Sequence, residues 1–320
     1  MKIVKLAGLI GLLLLGILGI LIGASTIYHR SQLRKEAKIY HPSESMVEVS
    51  GKELHVHREG EGETTLVFLS GHGTISPTLD FKPLWMKFTD DYRIAVVERS
   101  GYGWSEISNS PRDVETILEE TRSALERAGE KGPFVLVPHS MSGLEAIYWA
   151  QRYPDEVIAI IGLDPLTPAA AEILPAPDQI QLAVMYLISR TGVSRFMPES
   201  DLETNFPLLK SEDLTDEEKQ RYTAAFYRSA FSKDILREVK YLEENFAAVA
   251  ERDLPAGTPM YFFISTNQED QVEGWKAGLL DYLSEISEAE YKELSAGHYL
   301  HYGKSELIVE EALAFLAALE

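Results

Sequence analysis

Short apolar runs that recur along the chain constrain its fold more than any other feature. Eight runs rich in β-branched and aromatic residues are candidate strands: Val47–Ser50, Glu53–Arg58, Thr65–Leu69, Ile94–Glu98, Phe134–Val137, Val157–Leu163, Met260–Ser265 and Glu290–Leu294. The central runs are almost continuously apolar, which is typical of strands covered on both faces by helices. Because amphipathic segments separate the runs, the pattern predicts an α/β fold with a doubly wound, mostly parallel sheet of eight strands.

The helix between the fourth and fifth candidate strands has boundary signals at both ends. Ser110 can cap its start, Pro111 suits the first turn, and Asp113 completes a capping-box spacing. Gly129 is suited to end it, because glycine readily adopts the left-handed conformation found after a helix. The sequence therefore predicts a helix between Ser110 and Gly129.

The segment 168–255 interrupts the alternation of strands and helices. Its strongest helical patterns are Ala183–Arg190, Asp216–Ser229 and Asp234–Arg252, and it has no convincing strand. We interpret it as a helical cap inserted into the sheet domain. The domain is then divided into a first part, residues 46–167, and a second part, residues 256–320.

The first 28 residues form a separate region. Lys2 and Lys5 precede an uncharged run from Leu6 to Ala24, which is close to the ~20 residues that cross a bilayer as a helix. Signal-peptide cores run for about 7–15 residues, so the length favours a retained transmembrane anchor over a cleaved signal, although Ile22-Gly23-Ala24 resembles a cleavage site. The anchor would leave residues 29–45 as a juxtamembrane linker, whereas cleavage would release a secreted protein. Basic residues on the two sides of the run are nearly balanced and do not decide its orientation; we expect the C-terminal part outside the cytoplasm, because a short charged start before an apolar core resembles an export signal.

Composition excludes several classes of function. A net charge of −20 leaves no basic surface to neutralise phosphates, which argues against a nucleic-acid partner. The chain has no cysteine, so disulfides, thiolate catalysis and cysteine-bound zinc are excluded. No His-x-x-x-His or Glu-x-x-His pair occurs at ligand spacing, and we expect neither a metal nor an organic cofactor.

Ser140 lies in the segment that points most directly to chemistry. It follows the apolar run Phe134–Val137 and precedes the helical pattern Leu144–Tyr153. A serine in a sharp turn between a strand and a helix has its hydroxyl lifted clear of the sheet. The helix N-terminus and free backbone N–H groups then stabilise the negative charge that develops during acyl transfer.

Residues 134–154 resemble the nucleophile elbow and following helix of the α/β-hydrolase family. That family usually has Gly-x-Ser-x-Gly here, whereas this chain has Pro138 and Ser142 at the two glycine positions. Proline fits if its position requires a negative φ and no N–H partner, and serine is still small. The resemblance implies that Ser140 is the nucleophile of a serine hydrolase.

The resemblance also implies an oxyanion hole. Ser70-Gly71-His72-Gly73 follows the third strand, where the family supplies one backbone N–H donor. This donor is His72 or, if the loop is shifted, Thr74, and the second donor is Met141, directly after the nucleophile. Glu98–Ser105 resembles a family turn with a structural role.

His298 is the base that the resemblance implies, because it lies between the last strand and the last helix. Imidazole can take the serine proton and return it to the leaving group near neutral pH. His301 is the competing histidine, and we expect it to pack or cap beside the last helix. His55 and His57 share one face of an early strand, where we expect a solvated face rather than a metal pair.

The acid that orients the base has three candidates. Asp164 lies in Gly162-Leu163-Asp164-Pro165, which resembles the acid-bearing segment of pancreatic-type lipases. Most family members instead place the acid after the seventh strand, where this chain offers Glu269 and Asp270. We favour Asp164, since the acid needs only to hold imidazole from Nδ1.

A serine nucleophile favours attack on a carbonyl, so the expected activity is that of a carboxylesterase or lipase-like enzyme on a small-molecule ester. Apolar residues of the cap, such as Leu182 and Met185, favour an apolar substrate, although helix packing explains the same residues. Two alternatives stay open. One is a peptidase or amidase of the proline-iminopeptidase kind, and the other is a non-catalytic, membrane-tethered binding protein on the same fold.

Overall fold

The eight predicted strands form one sheet in the computed structural model, which describes residues 2–42, 45–171, 173–174 and 178–319. The strands are β1 (Met46–Val49), β2 (Lys52–Glu59), β3 (Thr65–Leu69), β4 (Arg93–Glu98), β5 (Phe134–Pro138), β6 (Val157–Leu163), β7 (Met260–Ser265) and β8 (Ala289–Leu294). Their order is β1-β2-β4-β3-β5-β6-β7-β8. β2 runs antiparallel to β1 and β4, and every other neighbouring pair is parallel. The predicted fold class is confirmed, and each strand end lies within one residue of its prediction.

Helices cover both faces of this sheet, and the described part of the chain contains thirteen α-helices in all. They are α1 (Lys2–Tyr40), α2 (Pro77–Asp80), α3 (Lys82–Trp85), α4 (Val114–Ala128), α5 (Ser142–Arg152), α6 (Pro168–Ala171), α7 (Gln179–Thr191), α8 (Glu199–Asn205), α9 (Asp216–Ser229), α10 (Lys233–Lys240), α11 (Leu242–Ala250), α12 (Trp275–Ser284) and α13 (His301–Ala317). In β3, Val67 packs in the layer that contains α4 and α5, whereas Phe68 packs in the layer that contains α13. Both side chains are fully buried, which is why the central strands read as continuous apolar runs.

The start of α4 differs from its prediction. Asp113 is the N-cap, and its carboxylate accepts a hydrogen bond from the Thr116 N–H at 2.8 Å. The capping role assigned to Ser110 is therefore wrong, because a carboxylate next to the first turn can satisfy the free N–H groups and also interacts favourably with the helix dipole. Gly129 ends the helix in the left-handed conformation, as predicted.

The segment between β6 and β7 holds α6 to α11, and no strand occurs in its described part. We call residues 168–255 the insertion. The pattern Asp234–Arg252 forms two helices rather than one, because Tyr241 leaves helical geometry between α10 and α11. The parallel strands β3 to β6 precede the insertion in the chain, and the parallel strands β7 and β8 follow it.

The N-terminal helix α1 has two parts with different surroundings. From Leu6 to Leu21 its large apolar side chains are exposed, and this part is long and apolar enough to cross a membrane, as an anchor or as a signal sequence. From Ser25 to Tyr40 one face packs on the insertion. Ser25 Oγ donates to Thr191 O at 2.7 Å, and Arg195 makes two hydrogen bonds of 2.6 and 2.7 Å with Glu36. Most of the predicted linker is therefore a packed helix.

Candidate active site

Ser140 occupies the turn between β5 and α5. Its φ of +55° lies in the left-handed region, which is unusual for a residue with a side chain. Gly71 passes directly over the turn, and a Cβ on Gly71 would come within 2.8 Å of Ser140 Cβ. Such a strained residue persists only where its surroundings fix it, and such positions cluster at active sites.

The two departures from the family motif, Pro138 and Ser142, lie at the end of β5 and at the start of α5. Pro138 is the last residue of β5, and the next N–H, that of His139, donates to Leu69 O at 3.0 Å. Ser142 Oγ lies 2.6 Å from the same Leu69 oxygen and accepts from the His139 N–H at 3.0 Å. The hydroxyl that replaces glycine therefore ties the turn to the end of β3.

His298 and Asp164 lie side by side at the carboxyl ends of the strands. The distance from His298 Nδ1 to Asp164 Oδ2 is 2.7 Å. The other carboxylate oxygen, Oδ1, accepts hydrogen bonds of 3.0 Å from the Ser265 N–H and from Trp275 Nε1. Asp164 is fully buried, so these donors compensate a carboxylate that is shielded from water. With Nδ1 as the donor, His298 Nε2 is free to act as an acceptor.

The two competing acids are oriented elsewhere. Glu269 accepts from the Gly274 N–H at 2.7 Å and from the Lys276 N–H at 3.0 Å. These backbone hydrogen bonds hold the pKa of Glu269 below its usual range. Asp270 is exposed on the same loop. Of the three candidates, the structure brings only Asp164 into hydrogen-bond contact with His298.

Two further histidines pack around His298. His139 is buried, and its Nε2 lies 3.1 Å from His298 O. His301 is also buried and packs against the rings of His139 and Phe81, which agrees with the packing role expected for it. Burial lowers the pKa of His139 well below its usual value and that of His301 to about 3. Both rings are therefore neutral packing groups beside the candidate base.

The expectation of a solvated face at His55 and His57 is wrong for His55. That ring is buried, and its Nδ1 lies 3.0 Å from Glu98 Oε2 at the end of β4. The alternation of side chains along β2 correctly puts the two histidines on one face, but Glu98 of the neighbouring strand β4 and Trp85 of α3 occupy that face. Within the described residues, no group of three His, Asp or Glu side chains is placed to hold a metal.

The oxyanion candidates lie on either side of Ser140. In the described part of the chain, the backbone N–H groups of His72 and Met141 have no acceptor in the protein. The loop that contains His72 is held from below by Arg99, whose Nη2 donates to Ser70 O at 2.5 Å and reaches Gly71 O at 3.4 Å. Arg99 lies in the turn Glu98–Ser105, for which we predicted only a structural role from the sequence.

Glu238 on α10 connects the insertion to this loop. Its buried carboxylate lies 3.5 Å from His72 Nδ1 and 3.9 Å from Arg99 Nη1, and it accepts from the Tyr102 hydroxyl. Burial favours the neutral acid, but the charge of Arg99, with His72 and Arg112, lowers the pKa of Glu238 to about 2. Sequence reasoning did not find Glu238. The available signal was a carboxylate three residues after Ile235, on the apolar side of α10.

We call residues Ser70–Gly73 the oxyanion loop, after the role proposed for His72. A cavity of about 270 Å³ opens beside this loop. Its lining includes Gly73, Phe206, Tyr299 and the buried Asp80. Asp80 Oδ1 accepts from the Tyr222 hydroxyl at 3.0 Å and also from the Tyr302 hydroxyl. Burial raises the pKa of Asp80 to about 6, despite these donors and the Ser76 N–H.

Comparisons with known proteins agree with this architecture. Residues 64–304 match the family model of the alpha/beta hydrolase fold. An uncharacterized protein of Bacillus subtilis (strain 168), YbdG, is 34% identical over 296 residues, which cover 91% of this chain and 90% of that protein.

Two solved structures extend the similarity. Est816, an N-acyl homoserine lactone degrading enzyme, has a TM-score of 0.61 and 17% identity, covering 84% of this chain and 99% of its own. The enol-lactonase from Burkholderia xenovorans LB400 has a TM-score of 0.59 and 18% identity, covering 85% and 99%. At these identities the likeness concerns the fold alone. By its sequence match over residues 64–304, the chain belongs to the alpha/beta hydrolase fold family.

Proposed function

We propose that the protein is a serine hydrolase that cleaves a carboxylic ester through an acyl-enzyme intermediate. Ser140 is the nucleophile, His298 the base and Asp164 the acid that orients it. The main support is the 2.7 Å contact between His298 Nδ1 and the buried Asp164, together with the left-handed φ of +55° at Ser140 in the turn after β5.

The proposed reaction follows from the donors and acceptors at the site. His298 Nε2 takes the proton from Ser140 Oγ as this oxygen bonds to the carbonyl carbon of the ester. The N–H groups of His72 and Met141 stabilise the oxyanion of the tetrahedral intermediate. The C–O bond to the alcohol then breaks, His298 returns the proton to the leaving oxygen, and water cleaves the acyl-enzyme by the same steps.

The cavity beside the oxyanion loop supports a small ester as the substrate. Its walls combine the rings of Phe206, Tyr222 and Tyr299 with the polar Asp80, the mixture of apolar surface and few polar groups typical of small-molecule sites. The two structural neighbours are named for action on lactones, which are cyclic carboxylic esters. A partly apolar ester or lactone therefore fits the proposal best.

We also propose that α1 is retained as a membrane anchor, with the hydrolase domain outside the cytoplasm. The helix continues without a break from its apolar part into the face that packs on the insertion, at Ser25, His29 and Glu36. Its apolar part is long enough to cross a bilayer.

A serine-directed fluorophosphonate probe tests the nucleophile. The wild-type protein should be labelled and Ser140→Ala should not, with a loss of ester hydrolysis on the order of 10⁴–10⁶-fold. Ser284→Ala, which removes an exposed serine on α12, is the matched control and should keep both labelling and activity. Labelling of Ser140→Ala at the wild-type level would remove Ser140 from the proposal.

Substrate class is tested by comparing p-nitrophenyl esters of increasing chain length with aminoacyl nitroanilides. The proposal expects turnover of esters and at most weak turnover of the anilides. Preferential cleavage of the anilides would favour the peptidase alternative. An intact, folded protein that neither labels nor hydrolyses either series would favour a non-catalytic binding protein.

A further inference from the structure

The insertion exposes an unusually apolar surface. Its most exposed members are Ile180, Leu187 and Phe196, whose exposed fractions are 76%, 58% and 67%. We call this surface the apolar face of the insertion; its residues are Ile180, Val184, Leu187, Ile188, Val193, Phe196 and Met197. Contiguous apolar surface of this kind on a protein marks a site of contact with another molecule or a membrane.

Helix α7 carries most of this face and is apolar on two sides. Ile180, Val184 and Leu187 recur at helical spacing and point outward. Leu182 and Met185 on the other side are partly buried. Packing against the rest of the protein explains the apolar residues on the inner side of α7. It does not explain those on the outer side, which an external apolar contact would cover.

The apolar face lies beside the point where α1 leaves its apolar part. Ser25 bonds to Thr191 at the end of α7, and the rings of Tyr28 and Phe196 lie 6.2 Å apart. Gly192 allows a close approach here, because a Cβ on it would lie 2.3 Å from His29 Cβ. The exposed apolar surface therefore continues from the N-terminal part of α1, through its Ile27, onto the insertion.

The charge distribution points to the same occupant. Residues 179–198 contain no Asp or Glu, in a chain that has 50 of them, and their only charges are Arg190 and Arg195. Four basic residues on α1 follow its apolar part and are exposed: Arg30, Arg34, Lys35 and Lys38. Basic side chains beside an apolar surface are favoured at a membrane, where they interact with the phosphates of lipid headgroups. A soluble partner protein would not require an apolar face without acidic residues next to a row of basic residues, whereas a membrane favours both features.

We infer that the apolar face of the insertion rests on the surface of the same lipid bilayer that α1 crosses, with its side chains among the lipid headgroups and upper acyl chains. The inference rests on the proposed anchor role of α1. In this arrangement two regions hold the insertion at the membrane, namely α1 and the apolar face.

Because the chain has no cysteine, single cysteines can report on each position in the full-length protein. Leu187→Cys and Phe196→Cys are labelled with an environment-sensitive fluorophore and reconstituted in vesicles of phosphatidylcholine and phosphatidylglycerol in equal parts. Leu18→Cys, in the apolar part of α1, reports insertion of the anchor. Lys131→Cys, exposed in the turn before β5, is the matched aqueous control.

The inference expects blue-shifted emission at Leu187 and Phe196 and quenching by nitroxide-labelled lipids that is several-fold stronger than at Lys131. Quenching at Leu18 with emission at Leu187 and Phe196 equal to that at Lys131 would overturn the inference and leave the anchor standing. No quenching at Leu18 would overturn the anchor itself. A blue shift at Leu187 that grows with protein density and is insensitive to nitroxide lipids would overturn the inference in favour of a second copy of the chain.

Discussion

The candidate catalytic groups and the insertion are held in the protein by different means. Ser140 and Asp164 lie at the ends of β5 and β6, and backbone hydrogen bonds from neighbouring strands fix them. The insertion is joined to the core through side chains: apolar packing that includes Ile75 and Val249, and buried polar groups such as Glu238 and Tyr222, the partner of Asp80. The positions of the candidate catalytic groups thus depend on sheet topology, whereas the placement of the insertion depends on side-chain contacts.

The largest effect is the loss of activity expected when a candidate catalytic residue at a strand end is changed. Asp164→Asn should lower kcat by about 10⁴-fold, because an amide no longer holds His298 in the tautomer that leaves Nε2 free. Steady-state hydrolysis of a p-nitrophenyl ester measures the loss.

Glu269→Gln is the matched control for that variant, since Glu269 caps α12 and does not touch His298. It should keep near-wild-type kcat. If the two variants exchanged their behaviour, the acid would belong to the loop after β7 and the assignment of Asp164 would be wrong.

A smaller effect is expected where the insertion meets the oxyanion loop. Glu238→Gln removes the charge that Arg99 and Arg112 face in a fully buried setting. Breaking such a buried ion pair lowers the free energy of unfolding by about 3–5 kcal/mol, which urea denaturation in detergent would measure. Glu243→Gln, an exposed change on α11, should stay within about 0.5 kcal/mol of wild type. Equal stability of the two variants would mean that Glu238 does not hold the insertion in place.

The third expected effect is a change of the free energy of unfolding with pH. The folded protein holds the Asp80 pKa at about 6, above the ordinary value of 3.8. The unfolded chain therefore loses this proton first, so the contribution of Asp80 to stability is full below pH 4 and is lost as the pH rises to 6. The expected loss is about 3 kcal/mol.

Asp80→Asn should remove this dependence, so the difference in unfolding free energy between variant and wild type should change between pH 4 and pH 6. Asp281→Asn, at an exposed position on α12, is the control and should follow the wild-type curve. A constant difference between Asp80→Asn and wild type over this range would show that Asp80 titrates as an ordinary carboxyl.

The sequence predicts the sheet closely because its central strands are buried on both faces. A residue such as Phe68 or Val67 must be apolar whichever layer it faces, and this requirement is visible in the chain without any tertiary information. Ser140 and His298 are proposed for a related reason, since each follows a strand at a position that resembles the family pattern.

Side-chain partners are predicted less well. Asp164, Glu269 and Asp270 all follow strands at the same edge of the sheet, and only the directions of their side chains separate them. His55 becomes buried because β4 pairs across it, and Glu238 acquires its role from Arg99, which is distant in sequence. Such contacts depend on how separate elements pack, so no local pattern encodes them.

Because α1 is one continuous helix, it sets the distance between the proposed membrane anchor and the hydrolase domain. Glu36 lies twelve positions after Ala24, and at a helical rise of 1.5 Å per residue this distance is about 18 Å. The two hydrogen bonds between Glu36 and Arg195 hold the C-terminal end of this segment on the insertion. If α1 anchors the protein as proposed, it is a continuous helix rather than a flexible tether, so Ser140 stays at a fixed distance from the membrane while the protein diffuses in the plane of the bilayer.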